Sequence, residues 1–271
     1  MWRCAVAGSP ITHSLSPLIH TTAYRVLGIA DAWDYGRHEL DAAALPGFVA
    51  ECGPEWVGLS CTAPLKSAVL ALGVPSSRAA LLNAGNTLIF ARDGRPARVE
   101  NTDVTGLLGA LARAGVTQAE RAVVLGNGAT ARSALAALAE LGVTRVQVLA
   151  RSQANAHASL GDLARHLGIA VEYGLWGTTE AGEPADLALS TVSAPLPAAA
   201  AEALVARVPV CFDATYNHYP TVLDRAARAA GIVQLSGIDL LVGQALDQIR
   251  LFTGRDCPAE PLLEAAYATL P

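Results

Sequence analysis

The sequence predicts an α/β protein of two domains with largely parallel sheets. Short β-like runs alternate with alanine-rich helical stretches throughout the 271 residues, which is typical of parallel strands joined by crossover helices. Hydrophobic residues make up 52% of the chain and aromatic residues only 5%, so the core has to be built from Ala, Leu and Val. A chain of this length buries a substantial core, and its composition excludes a disordered protein.

The first part of the chain contains three strand-like runs, two helices and a pair of strands resembling a hairpin. The runs are RCAVAG at 3–8, WDYGRHE at 33–39 and WVGLSCT at 56–62. We expect helices to start near Pro17 and Asp41. NTLIFAR (86–92) and ARVEN (97–101) are joined by DGRP, which is a turn sequence. The apolar periodicity then becomes helical over residues 103–114.

A second alternating series begins at Arg121. Its strand-like runs are AVVLG at 122–126, RVQVLA at 145–150, DLALSTV at 186–192, VPVCFDAT at 208–215 and GIVQLSG at 231–237. Helices are expected from Ala129 to Leu141 and from about Ser152. This repetition is sufficient for a compact α/β domain of its own.

The domain boundaries follow from the last helical stretch. Residues from Ile238 to the end read as helices, and the region before residue 103 has no C-terminal partner of its own. We therefore predict a first domain of residues 1–102 completed by 238–271, with residues 103–237 inserted as a Rossmann-like domain.

Charge and cysteine content exclude several functions. The net charge is −5 with both signs interspersed, so the chain has no basic surface for nucleic acid or for a membrane. No stretch is apolar for long enough to cross a bilayer, and the six histidines show no metal-ligand spacing. The five cysteines are scattered and odd in number, which indicates reduced thiols. We expect a cytoplasmic monomer or homodimer that binds a small molecule and holds no metal.

The segment GNGATA, residues 126–131, lies between a predicted strand and a predicted helix. Gly126 permits the tight turn, Gly128 lets a pyrophosphate approach the backbone, and Ala131 allows close packing of helix on strand. Asn127, Ala129 and Thr130 complete the turn, whose amides would face the phosphates. The alternative is an ordinary turn between a strand and a helix.

The end of the next strand favours NADP(H) over NAD(H). NAD-binding sites usually have an acid there, which binds the ribose 2′-hydroxyl. This chain has Arg151 and Ser152 instead, and an arginine pairs with a 2′-phosphate that a carboxylate would repel. The alternative is a surface arginine at the end of a strand.

Lys66 is the only lysine among the 19 Lys and Arg residues. A lysine ammonium can release a proton in a suitable environment, whereas a guanidinium stays charged, so lysine suits proton transfer. Lys66 follows the third strand just after Pro64, at the edge where open α/β sheets bind ligands. Asp103 starts a helix, where it is either an N-cap or a partner of Lys66.

Seven segments together resemble the shikimate dehydrogenase family, in family order over nearly the whole chain. They are GSPITHSLSP, CTAPLK, NAGNTL, NTDVTG, GNGATA with ARS, DATYNHYPTVL, and GIDLLVGQALDQIRLFTG. The resemblance implies that Ser14 and Ser16 bind a substrate carboxylate. It also implies that Thr62, Asn86 and Gln244 bind ring hydroxyls, that Tyr216 lines the same pocket, that Gly237 contacts the cofactor, and that Lys66 and Asp103 are the catalytic pair.

The resemblance implies NADP-dependent reversible reduction of 3-dehydroshikimate to shikimate, a step of aromatic amino-acid biosynthesis. Val104 and Val222 replace residues common in the family, glycine and proline respectively, and border the implied substrate pocket. A relative acting on quinate or an amino analogue therefore remains an alternative, as does an NADPH-sensing protein without activity. The sequence also leaves open whether Lys66 or Asp103 makes the net proton transfer.

Overall fold

The computed structural model of the chain describes residues 1–179, 182–216 and 218–270. These residues form two compact units. The first comprises Met1–Gly106 and Leu241–Leu270, and the second comprises Leu107–Leu240. Pro271, the last residue of the predicted C-terminal segment, lies outside the described residues.

The regular elements alternate as the α/β prediction requires. The strands are β1 (Trp2–Gly8), β2 (Trp33–Glu39), β3 (Trp56–Cys61), β4 (Val74–Pro75), β5 (Thr87–Ile89), β6 (Arg98–Glu100), β7 (Arg121–Leu125), β8 (Arg145–Ala150), β9 (Ala170–Leu175), β10 (Leu187–Ser190), β11 (Val210–Asp213) and β12 (Val233–Leu235). The helices are α1 (Ser16–Val26), α2 (Leu45–Glu51), α3 (Ser77–Leu82), α4 (Asp103–Arg113), α5 (Ala129–Glu140), α6 (Gln153–His166), α7 (Ala198–Val205), α8 (Val222–Ala230), α9 (Gly237–Thr253) and α10 (Glu260–Tyr267). A short 3-10 helix covers Ala68–Leu72.

The first unit contains a mixed sheet with the strand order β2-β1-β3-β5-β6-β4. β1 runs parallel to β2 and β3, so the three strands end at the same edge of the sheet. β5 and β6 form the predicted antiparallel hairpin, in which Thr87 pairs with Glu100. Asp93 and Gly94, in the predicted turn, both have positive φ angles, of 51° and 75°.

Both faces of this sheet are buried. Ala5, Ala7 and Leu59 lie in a cluster on one face, and Cys4, Val6 and Val57 lie in a cluster on the other. Phe252 of α9 belongs to the second cluster, and a Cβ at Gly58 would lie 2.3 Å from its ring. The glycine therefore lets α9 pack directly on β3, and the C-terminal residues complete the core of the first unit.

The second unit contains a parallel sheet with the strand order β12-β11-β10-β7-β8-β9. Its five predicted strands are present, and β9 is an additional edge strand that the sequence did not indicate. α7 and α8 were also not predicted. In the first unit, α2 begins at Leu45 rather than near Asp41, because the Asp41 carboxylate accepts the amides of Ala43 and Ala44 in a preceding turn.

The five cysteines are free thiols. Cys4, Cys61 and Cys211 are buried, and burial raises the pKa of Cys4 and Cys61 to about 12. A thiol is nucleophilic only as the thiolate, so these side chains are inert packing groups at neutral pH.

Candidate active site

Lys66 and Asp103 form an ion pair in the first unit. Lys66 Nζ donates to Asp103 Oδ2 at 2.5 Å, and the two side chains are 15% and 7% exposed. The loop after β3 holds the lysine, because Leu65 is fully buried and the Gly85 amide donates to the Lys66 carbonyl at 2.7 Å. A shielded pair at the end of a strand is well placed to act on a bound ligand.

The Asp103 carboxylate does not cap its own helix. Asn101 Oδ1 accepts the amides of Asp103 and Val104 at 3.1 and 3.4 Å, so Asn101 caps the start of α4. Asp103 is thereby left to bind Lys66 through Oδ2 and the Asn86 amide through Oδ1, the latter at 2.9 Å. The alternative role of Asp103 as an N-cap is wrong.

Asn86 connects the ion pair to two further polar side chains. Its Nδ2 also donates to Thr102 Oγ1 at 3.0 Å and to Gln244 Oε1 at 3.2 Å, and its Oδ1 accepts the Thr102 amide at 2.8 Å. Asn86, Thr102, Asp103 and Gln244 are all buried. The structure thus brings Lys66, Asp103, Asn86 and Gln244 into one hydrogen-bonded cluster, although Gln244 is distant in sequence.

Two glycines allow Gln244 to approach Asp103. A Cβ at Gly106 would lie 2.4 Å from the Gln244 backbone nitrogen, and a Cβ at Gly243 would lie 2.4 Å from the Gly106 carbonyl oxygen. The first turn of α4 and the middle of α9 therefore touch backbone to backbone. Thr105 also donates to the Asp247 carboxylate, which fixes the same contact.

Thr62 and the two predicted carboxylate-binding serines follow neighbouring parallel strands. Thr62 follows β3, and its amide donates to the Ala7 carbonyl at 2.9 Å. Ser14 and Ser16 follow β1, and Ser14 Oγ accepts the Ser16 amide at 3.3 Å. Arg37, which was not predicted, donates to the Ser14 carbonyl at 3.1 Å and so holds this loop. Because β1 and β3 are parallel, the segments that carry these three residues leave the sheet at the same edge.

The predicted phosphate-binding turn lies in the second unit between β7 and α5. Gly126 is buried with a φ of +104°, and a Cβ there would lie 2.5 Å from Thr191 Oγ1. Gly128 is exposed, and a Cβ there would meet no described atom within 4 Å. No side chain of the described residues caps the N-terminus of α5, and Ala131 is fully buried against the sheet. Open space above bare helix-terminal amides is what a pyrophosphate requires, so these residues fit a dinucleotide.

The other residues of the turn have different surroundings. Asn127 donates through Nδ2 to Ser159 Oγ at 3.2 Å, and this bond ties the turn to α6. Ala129 and Thr130 form the first turn of α5 and are half-buried. The backbone amides of these three residues, rather than their side chains, are the groups suited to a phosphate.

The remaining cofactor residues and Tyr216 also lie in the second unit. Arg151 follows β8 and is exposed, while Ser152 caps α6 by accepting the Asn155 amide at 3.2 Å. Gly237 is buried at the start of α9, where a Cβ would lie 2.4 Å from the Ala214 carbonyl oxygen. Tyr216 follows β11 and is half-buried.

A cavity of about 370 Å³ lies at the carboxyl ends of β10 and β11. Ser190, Val192, Asp213 and Thr221 are among its lining residues. Asp213 is buried, and burial raises its pKa to about 6 although Thr215 and Thr221 donate to the carboxylate. Ligands of parallel sheets bind at this end of the strands, so the cavity suits part of the dinucleotide.

In the described part of the chain, no cluster of three or more His, Cys, Asp or Glu side chains is arranged to hold a metal ion. The Lys66 ammonium supplies positive charge at the candidate site.

Sequence reasoning missed three residues that shape the site. Thr102 and Gln248 both bind Asn86, and Arg37 holds the Ser14 loop. Gln248 lies one helical turn after Gln244, so the i,i+4 spacing on an amphipathic helix was a usable signal. Arg37 gave no signal that separates it from other surface residues, and Thr102 lay in the NTDVTG segment without an assigned role.

Replacing Gly126 and Gly128 by alanine separates folding from cofactor binding. Gly126→Ala should destabilise the protein, because both its φ angle and its surroundings exclude a Cβ. Gly128→Ala should leave the melting temperature nearly unchanged but raise the Kd for NADPH by about tenfold or more, since the methyl group enters the phosphate space. Thermal unfolding and fluorescence titration measure the two effects. Normal NADPH affinity in Gly128→Ala would place the phosphates elsewhere.

Two protein-family models match the chain. The model described as the shikimate dehydrogenase substrate binding domain matches residues 6–88, and the shikimate 5'-dehydrogenase C-terminal domain matches residues 237–267. The shikimate dehydrogenase (NADP(+)) of Methanothermobacter thermautotrophicus is 34% identical over 98% of this chain and 95% of its own length.

Solved structures are similar to this chain over all or nearly all of its length. A shikimate 5-dehydrogenase from Mycobacterium fortuitum is 41% identical with a TM-score of 0.82, covering 97% of both chains. Shikimate 5-dehydrogenase from Thermus thermophilus, solved in complex with NADP(H) and shikimate, is 31% identical with a TM-score of 0.85, covering 100% of both chains. The segments singled out in the sequence and the measured similarity thus lead to the same family.

Proposed function

The chain belongs to the shikimate dehydrogenase family, and we propose that it catalyses the NADP-dependent reversible reduction of 3-dehydroshikimate to shikimate. This places it in the biosynthesis of aromatic amino acids. The observation that carries the proposal is the shielded contact between Lys66 Nζ and Asp103 Oδ2, at 2.5 Å. A protein that only senses NADPH has no need of a proton-transfer pair.

In this proposal the two domains bind different ligands. Residues 1–102, completed by 238–271, bind the substrate, and residues 103–237 bind NADP(H). Ser14 and Ser16 bind the substrate carboxylate, Thr62, Asn86 and Gln244 bind ring hydroxyls, and Tyr216 lines the pocket. Gly126, Gly128 and the first amides of α5 bind the pyrophosphate, and Arg151 binds the 2′-phosphate. The open space at Gly128 supports this assignment.

Reduction of a ring ketone needs a hydride and a proton. NADPH, when bound, supplies the hydride. The Lys66 ammonium stabilises the negative charge that develops on the ketone oxygen and provides the proton, and in the reverse direction its amine accepts the proton of the alcohol. Asp103 accepts a hydrogen bond from Lys66 and keeps the ammonium in place, while Asn86 fixes the other carboxylate oxygen.

We further propose that the enzyme is cytoplasmic and works as a monomer or homodimer. The free cysteines are in keeping with a reducing compartment. None of the helices in the described ranges is long and apolar enough to span a membrane.

Steady-state assays test the proposed reaction. With NADP⁺, shikimate should be oxidised with a kcat/KM at least about tenfold above that for quinate, because the Methanothermobacter and Mycobacterium relatives, which match nearly the whole chain, are shikimate dehydrogenases. NADP⁺ should be preferred to NAD⁺. The absorbance of the reduced cofactor measures all four combinations. A preference for quinate would favour the paralogue, and NADPH binding without turnover of either acid would favour a sensor.

A further inference from the structure

Gln248 is hydrogen-bonded to Asn86, but it makes no hydrogen bond to Lys66 or Asp103 in the described part of the chain. It is fully buried on α9, one helical turn after Gln244. Its Nε2 donates to the Asn86 carbonyl oxygen at 3.2 Å and to Thr87 Oγ1 at 2.9 Å. An uncharged amide buried this deeply is costly unless its hydrogen bonds are satisfied, so these contacts define its orientation.

The Thr87 hydroxyl links Gln248 to the Asn86 side chain and orients the Asn86 amide. Because Thr87 Oγ1 accepts from Gln248, its own proton is directed to Asn86 Oδ1, 3.0 Å away. The Thr102 amide donates to the same oxygen at 2.8 Å. With two donors on Oδ1, the amide nitrogen of Asn86 must face Asp103 Oδ1, which it does at 2.9 Å.

The side-chain oxygen of Gln248 has two hydrogen-bond neighbours, Ser60 and His20, and Ser60 is itself held by Tyr35. Tyr35 OH donates to Ser60 Oγ at 2.6 Å, and Ser60 Oγ donates to Gln248 Oε1 at 2.8 Å. His20 Nε2 lies 3.3 Å from the same oxygen. The Asn86 backbone carbonyl can only accept, so Nε2 is the Gln248 atom that faces it and Oε1 is the atom that faces Ser60 and His20; Gln248 therefore has one orientation.

His20 is a neutral donor in this arrangement. Burial lowers the pKa of His20 to about 3, and its ring stacks on Tyr35 with centroids 3.9 Å apart. Because Gln248 Oε1 is an acceptor, the His20 proton resides on Nε2, and Nδ1 has no hydrogen-bond partner among the described residues. The network therefore keeps one set of donors and acceptors across the pH range in which enzymes work.

We propose that Gln248 is a positioning residue for the reaction, acting through the Thr87 hydroxyl and the Asn86 amide to orient the Asp103 carboxylate that holds Lys66. This inference rests on the proposed function for its effect on turnover. This series of hydrogen bonds runs from β2 and β3 through α9 to the ion pair, and all of its residues belong to the first unit.

Two substitutions of Thr87 separate positioning from packing. Thr87→Ser keeps the hydroxyl and loses a methyl group, whereas Thr87→Val keeps the shape and loses the hydroxyl. We expect Thr87→Val to lower kcat for shikimate oxidation by roughly 10- to 100-fold and Thr87→Ser to stay within about threefold of wild type. A packing role predicts the opposite order, and that order, or equal rates, would overturn the proposal.

Gln248→Met and a matched control complete the series. Gln248→Met preserves length and volume but removes both polar atoms, so it should lower kcat as Thr87→Val does, with the Kd for NADPH unchanged. Thr21→Val is the control, because Thr21 Oγ1 donates only to the Pro17 and Leu18 carbonyls of α1. Wild-type kcat in Gln248→Met would overturn the proposal. Thermal unfolding verifies that each variant is folded.

A second readout does not depend on turnover. Lys66 is the only lysine, so its reaction with trinitrobenzenesulfonate can be followed on one peptide by mass spectrometry. A poorly oriented Asp103 holds the amine less firmly, and we expect labelling to be several-fold faster in Thr87→Val and Gln248→Met but not in Thr87→Ser or Thr21→Val. This labelling pattern in a protein that does not oxidise shikimate would refute the proposed function and leave the positioning role standing. Equal labelling rates in all variants would overturn the positioning role.

Discussion

Lys66→Ala should lower kcat for shikimate oxidation by about 10³-fold, because it removes the proton acceptor and the positive charge together. NADPH affinity should not change, since the phosphate-binding turn lies in the other unit. The variant also leaves the Asp103 carboxylate, 7% exposed, without its ammonium partner. Some loss of thermal stability is therefore expected, and kcat has to be measured well below the melting temperature. Pre-steady-state hydride transfer and NADPH fluorescence measure the two properties.

Lys66→Arg and small amines act as controls for the chemistry. Arginine keeps the charge next to Asp103 but does not release a proton at neutral pH, so it should recover little activity. Primary amines such as ethylamine should partly restore Lys66→Ala, whereas guanidinium should not. Near-normal turnover in Lys66→Arg would show that charge alone is sufficient at this position and would refute the proton-transfer role.

The sequence predicted those parts of the fold that depend on local patterns. Gly126 and Ala131 could be assigned because the strand before them and the helix after them each have a clear apolar period. β9 was not predicted because it is a half-exposed edge strand with one neighbour. Glu172 and Gly174 interrupt the run of apolar residues in its sequence. An edge strand buries little surface, so no apolar run is needed.

The candidate site was predictable residue by residue but not as a network. Lys66 was identifiable by its uniqueness, and Asn86 and Gln244 came from the family resemblance. The contact of Gln248 with Thr87 joins residues separated by 161 positions, and no local pattern encodes it. Asp103 shows the same limit, because helix-start statistics favour a capping role that Asn101 takes instead.

Arg151→Asp should reverse part of the preference for NADP(H). Arg151 is exposed directly after β8, where the adenosine ribose lies in Rossmann-like domains, and a guanidinium there pairs with a 2′-phosphate. The aspartate repels that phosphate and accepts a hydrogen bond from a 2′-hydroxyl. We expect kcat/KM for NADP⁺ to fall by about 10²-fold and that for NAD⁺ to rise, with KM for shikimate unchanged.

Arg145→Asp is the matched control for the change in charge. Arg145 is also exposed and lies on the same strand, but it starts β8, whereas Arg151 follows its end. Arg145→Asp should therefore leave the ratio of kcat/KM for NADP⁺ to that for NAD⁺ within about twofold of wild type. Residue 145 lies at the opposite end of the strand from the proposed 2′-phosphate site, and salt screens exposed charges at that separation. Equal shifts in the two variants would mean that only the net charge of the domain matters. An unchanged ratio in Arg151→Asp would mean that another residue binds the 2′-phosphate.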